Sequence, residues 1–286
     1  MPYFHVVFTV PEELNALALH APRVFYDLLF KAAAGALTDV ARSRLNIEVG
    51  ALCVLHTWGQ TLVFHPHIHC VVPGGGFAAG RAQWKSVRKA AFFLPVKVLS
   101  RRFRTLLCTS LRESSRSGAL KVASSNATLA VIARVFAREW VVYAKAPFGG
   151  PAQVLAYLAN YTHRIAISNS RLLSFIDNSV TFRYRDYRSG NQQREMTLDV
   201  DEFLRRYLLH VVPLRFVRIR YYGFMANRTR ASSLARARQL IGDRVLPPPT
   251  ILKEPQERRC PRCGEGKMIA IARIEPAAQP PIQDTS

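Results

Sequence analysis

The chain has 286 residues, room for one large domain or two modest ones, and its 49% hydrophobic, 10% aromatic and 21% charged residues suit a packed core and exclude global disorder. Forty Lys and Arg against nineteen Asp and Glu leave a net charge of +21 and a pI near 10.5. Thirty-two of the forty are arginine, whose planar fork grips phosphate at two points, so the composition points first to a nucleic-acid partner.

Taken in chain order, Tyr3 to Val10 is β-rich and predicts a strand ending at Pro11. Glu12 to Arg44 carries apolar residues at helical spacing, broken at Pro22, and predicts a short helix followed by a longer one. Ala51 to Trp58 and Thr61 to Val72 read as strands around a Gly59-Gln60 turn, closed by Pro73-Gly74-Gly75-Gly76, which suggests an antiparallel hairpin with buried faces. Lys85 to Arg112 is basic and helical in period with a break at Pro95, and Ala127 to Arg138 is helical again. Trp140 to Ala144 predicts a short strand and Val154 to His163 a helix just after a proline-glycine loop. From Arg164 to Met196 the period is two, with turns at Asn169-Ser170 and Asp177-Asn178. Asp199 to His210 predicts a helix with an aspartate start, Phe216 to Tyr222 a strand, and Arg228 to Leu240 a basic helix.

The opening residues lack the basic-then-apolar pattern of a signal peptide, and no run of about 18 apolar residues predicts a membrane span. Cys53 and Cys70 sit in apolar runs as small core residues, and the five cysteines do not form a disulfide framework, so a reducing cytoplasm is expected.

Two motifs carry chemistry. In HPHIHC, His65, His67 and His69 alternate along a strand and share one face, while Ile68 points to the other. Two imidazoles on one strand face can ligate a divalent metal. In YLANY, Tyr157 and Tyr161 lie four residues apart, so a helix turns both phenols to one side. A phenol has a pKa near 10 and attacks at neutral pH only with a positive field and an activated electrophile; a metal-bound phosphodiester among arginines supplies both.

The strings YFHVVFTVP, HTWGQ, HPHIHCVVPGG and YLANYTHRIAISNSRL resemble the two-tyrosine HUH transposases of the insertion sequence 91 family, over about residues 3 to 240. HUH denotes His-hydrophobic-His, here His67-Ile68-His69. The resemblance implies an α+β fold with a central antiparallel sheet flanked by helices, and nicking of single-stranded DNA through a 5′-phosphotyrosine in rolling-circle transposition. It implies Tyr157 and Tyr161 as nucleophiles and His67 and His69 as ligands of Mg²⁺ or Mn²⁺. Gln60 is the preferred third ligand, with His56, His65 and His163 as competitors. It implies single-stranded DNA at transposon ends and target as partner, in a bacterial, nucleoid-associated, cytoplasmic setting. Arg164, Arg171, Arg183, Arg185, Arg218 and Arg220, several beside aromatics, are candidate DNA contacts, since cations hold phosphates and rings stack on bases.

Residues 1–245 are expected to form the nuclease domain, and 246–286 a proline-rich linker, a CPRC knuckle and a flexible tail. Cys260 and Cys263 supply half a tetrahedral zinc site. Relatives of the family carry a Cys/His-rich zinc module before the region where this chain begins, so an N-terminally shortened product is expected. Two other readings stand beside this one. A histidine-triad-like nucleotide hydrolase would use the last histidine as nucleophile without metal, and a non-catalytic relic would bind single strands without forming an adduct.

Overall fold

Alternation along the first strand sets the architecture. In Tyr3–Thr9 (β1), Phe4, Val6 and Phe8 are buried on one face, and His5 and Val7 belong to the other. The computed structural model describes residues 2–87, 94–148, 166–186 and 189–242. Five strands form the main sheet in the order β11-β3-β4-β1-β7, where β3 is Gly50–Trp58, β4 Phe64–Pro73, β7 Val142–Phe148 and β11 Ile219–Gly223. Every pairing in it is antiparallel. The fold is α+β.

Helices pack on the Phe4–Val6–Phe8 face. After a short helix Asn15–His20 (α1), Pro22 opens a long one, Pro22–Leu45 (α2), where its missing N–H costs nothing. Asn46 closes it with a left-handed φ of 52°. A third helix, Val96–Arg116 (α3), starts after Pro95 and buries Leu99, Phe103, Leu107 and Leu111, one per turn. Ser125–Phe136 (α4) is capped by the Ser124 hydroxyl. These helices and the sheet share one core that includes Phe8, Phe25, Phe30, Leu55, Ile68 and Phe103. Cys53 and Cys70 lie in it directly opposite one another, with sulfurs 3.3 Å apart.

Two smaller sheets complete the described fold. Ile47–Glu48 (β2), Gly75–Ala78 (β5) and Trp84–Ser86 (β6) form one. The glycine run therefore does more than end β4: it begins β5, and a Cβ on Gly76 would sit 2.3 Å from the Glu48 carbonyl oxygen. The expected helix from Lys85 begins instead at Val96; Lys85 lies in β6, where it pairs with Gly76. Leu172–Ile176 (β8), Ser179–Asp186 (β9) and Gln192–Asp199 (β10) form the other sheet. Asp177 and Asn178, both at positive φ, make the two-residue turn between β8 and β9. Asp199 caps Val200–Leu208 (α5) by accepting from the Asp201 N–H. The last described helix is Arg230–Ile241 (α6), packed through Ala237 near Phe77 and Phe224.

Gly223 ends β11 at φ +61°, and a Cβ there would lie 1.8 Å from the Val49 carbonyl oxygen. The clash is with backbone and is relieved only by prising β11 from its neighbour. Gly223→Ala is therefore expected to destabilise the fold by at least about 3 kcal/mol, seen as a lower denaturant midpoint. An unchanged midpoint would rule out this packing.

Residues 149–165 and 243–286 are outside the described residues, and with them the predicted Val154–His163 helix and the expected tail.

Candidate functional site

The site grows from the β3–β4 hairpin. Its turn is closed by Gly59 N–H donating to Val63 O and Leu62 N–H donating to Gly59 O, each at 3.1 Å, with Leu62 at φ +60°. The register shifts between His56 and Trp58, so Trp58 faces Phe64 while His56 faces His67 and Val54 faces His69. Directly opposed residues share a sheet face, so His56, His67 and His69 stand together, and Leu55 and Ile68 turn into the core. Their rings lie 4.3 Å (His56–His69), 4.7 Å (His67–His69) and 5.5 Å (His56–His67) apart, centroid to centroid. One ring nitrogen from each falls within 4.8 Å of the others, a spacing that fits three ligands on one ion. Among the described residues no carboxylate or thiolate joins the trio.

Burial and hydrogen bonding prepare the rings. His67 Nδ1 lies 2.7 Å from the His65 carbonyl oxygen. A carbonyl only accepts, so Nδ1 carries the proton and Nε2 presents its lone pair. Burial, helped by the neighbouring His65, pushes the His67 pKa down to about 3 against the bond to the His65 carbonyl, so the ring is neutral, the form that binds metal. Trp58 stacks on His56 at 4.5 Å with ring planes 17° apart. From β1, His5 Nε2 reaches His69 Nδ1 at 2.8 Å.

The sequence-predicted residues fall as follows. His67 and His69 converge, and His56, named as a competitor, completes the cluster. His65 sits with its ring 5.3 Å from that of His67 but outside the trio. Gln60 uses its Oε1 to accept from the Arg185 backbone N–H at 3.1 Å. Tyr157, Tyr161, His163, Arg164, Cys260 and Cys263 lie outside the described residues. His5 was not singled out, although its place on the odd-numbered face of β1 was readable from the alternation.

Comparison with known proteins places the chain in a family. Residues 50–233 match the family model Y2_Tnp, described as "Putative transposase". The chain is 46% identical over 301 residues to "Putative transposase y4qJ" of Sinorhizobium fredii, covering 98% of this chain and 75% of that protein. It belongs to the two-tyrosine transposase family of the insertion sequence 91 type. It is also 29% identical to the transposase for insertion sequence element IS801 of Pseudomonas savastanoi pv. phaseolicola, covering 96% of this chain and 68% of that one. Among solved structures it is similar to the conjugative relaxase TrwC in complex with oriT DNA, at 13% identity and a TM-score of 0.25, covering 84% of this chain and 72% of that one.

The arginines of this transposase divide into two groups. Arg171 is 5% exposed; its Nε donates to the Arg183 carbonyl at 2.7 Å and its Nη2 to the Gln60 carbonyl, tying β9 to the site hairpin. Arg220 donates to Asp27 on α2 at 2.5 Å and stacks over Phe30 and Phe216. Both guanidiniums are committed inside the fold. Arg218 is half-buried, which lowers its pKa. Arg183 and Arg185 are exposed on β9. No described helix of the transposase is long and apolar enough to cross a membrane.

His210, just past α5, locks the hairpin turn. Its Nε2 donates to the Leu62 carbonyl and its Nδ1 accepts from the Thr57 hydroxyl, each at 3.2 Å, and its ring stacks on Phe64. Burial lowers its pKa to about 4 against the raising effect of the Leu62 and Thr57 backbone carbonyls. A folded pKa below the unfolded one means stability is full above about pH 6.5 and is lost as pH falls towards 4. The contribution of His210 to that loss approaches about 3 kcal/mol. Denaturant titrations across this window should show a smaller loss in His210→Gln; an equal loss would assign the acid sensitivity elsewhere.

Proposed function

We propose that this transposase nicks and rejoins single-stranded DNA by tyrosine transesterification at the His56–His67–His69 centre. The observation that carries the reading is three convergent, buried imidazoles in a chain of the two-tyrosine family. Tyr157 or Tyr161 supplies the attacking phenol oxygen. A bond forms from that oxygen to the scissile phosphorus, the bond from phosphorus to O3′ breaks, and the leaving oxygen takes a proton to give a free 3′-OH. One phosphodiester replaces another, so rejoining by the reverse attack needs no external energy.

His56, His67 and His69 would hold the cation, with His56 in the role first expected of Gln60. Their donor set is three neutral imidazoles, which suits Mn²⁺ better than the oxygen-seeking Mg²⁺. A divalent ion held by them would polarise the oxygens of the scissile phosphate. Arg183 and Arg185, exposed beside the hairpin, are placed to hold the strand's phosphates. The hydrolase reading would need His69 free to attack, but that ring is 7% exposed and bound by His5.

The test is incubation with a single strand spanning a transposon end, labelled 3′ of the cut, with Mn²⁺ and then a denaturing gel. Label remaining on the protein with Mn²⁺ and absent with EDTA is expected. Strand binding without adduct, or EDTA-insensitive nucleotide hydrolysis, would overturn the proposal.

A further inference from the structure

Resting on the reading of the histidine trio as a metal centre, we infer that His5 is a positioning residue: it fixes the tautomer and aim of His69 and thereby sets the affinity of the site. The family match begins at Gly50, beyond β1, so His5 enters on geometry alone. In the sheet, Val7 faces His69 directly, and His5, two residues earlier on the same face, reaches it diagonally. The two rings lie 5.0 Å apart and within 10° of parallel, and His5 is 4% exposed.

A hydrogen bond between two neutral imidazoles uses one N–H and one lone pair. With Nδ1 of His69 engaged by His5 at 2.8 Å, Nε2 is the nitrogen that faces a cation. A ligating Nε2 lone pair leaves the proton on Nδ1, so His69 donates and His5 Nε2 accepts, which puts the proton of His5 on Nδ1. His67 obtains the same arrangement from the His65 carbonyl. Both outer partners are uncharged. A carboxylate in that place would pass negative charge through the ring towards the cation; His5 orients the ligand and leaves the full double charge for the phosphate.

The experiment measures Mn²⁺ binding by the full chain, from the electron paramagnetic resonance of free Mn²⁺, with unfolding of the metal-free protein followed in parallel. His5→Phe fills the space without an acceptor and is expected to weaken binding about 10- to 100-fold. His5→Gln places Oε1 near the position of Nε2, accepts from His69, and is expected to restore most of the affinity. A merely structural role would lower the unfolding midpoint of His5→Phe without this rescue. Unchanged affinity in His5→Phe, or equal loss in both variants, overturns the inference and leaves the metal centre standing. Absence of Mn²⁺ binding in the unaltered chain overturns both.

Discussion

Replacing His56 by alanine is expected to weaken Mn²⁺ binding by more than about 100-fold, since losing a ligand exceeds the 10- to 100-fold that losing an outer partner costs. Covalent adduct formation should fall with it. The cluster offers three imidazoles and, among the described residues, no carboxylate to substitute for one of them. His56 is 2% exposed and stacked on Trp58, so alanine also removes packing. His56→Phe keeps the stacking without the ligand, and its metal affinity should fall as far as that of alanine while its unfolding midpoint falls less. Gln60→Ala is the decisive partner experiment. Its side chain serves the Arg185 backbone N–H, so its loss should cost about 1 kcal/mol of stability and leave the metal affinity near its starting value. The opposite pattern, in which Gln60→Ala abolishes binding and His56→Ala spares it, would return the third ligand to Gln60.

The facing of His56 and His67 shows what the sequence could and could not express. Alternation assigned faces correctly: Ile68, Cys53 and Cys70 went into the core and His67 and His69 to the other side. Register is a different quantity. A two-residue turn at Gly59-Gln60 would pair Trp58 with Thr61 and place His56 opposite Val63. The real turn runs to Val63, which moves the pairing by three residues so that Trp58 faces Phe64, and the shift beside Trp58 adds one more, so that His56 faces His67. Nothing local in Gly59–Val63 announces a left-handed Leu62, which is held by the apolar cluster of Trp58, Leu62, Ala166 and Phe182. The arginines teach the same lesson. Arg220 lies beside aromatics as a nucleic-acid face would and Arg171 was a candidate contact with it, yet long-range partners, the Gln60 carbonyl and Asp27, draw both inward. Starts of described helices were readable where the punctuation is local: Pro22, Pro95 and Asp199 each mark one.

Joint replacement of Tyr157 and Tyr161 by phenylalanine is expected to abolish the protein–DNA adduct, a loss of more than about 10³-fold, as befits removal of a nucleophile. Phenylalanine keeps the ring and removes only the oxygen that would bond to phosphorus. Mn²⁺ affinity should therefore stay unchanged, which separates lost chemistry from a collapsed site. Each single variant should behave differently from the pair. The spacing of four predicts that both phenols face one side of a helix, so either is expected to meet the same phosphate. A single variant is then expected to retain one cut, and with it a labelled adduct. What it should lose is strand transfer, since a second attack is needed while the first strand is still bound covalently. A double variant that still traps label would move the nucleophile elsewhere. A double variant that cuts without trapping would make water the attacking group, and the imidazole centre would then serve hydrolysis rather than exchange of phosphodiester bonds.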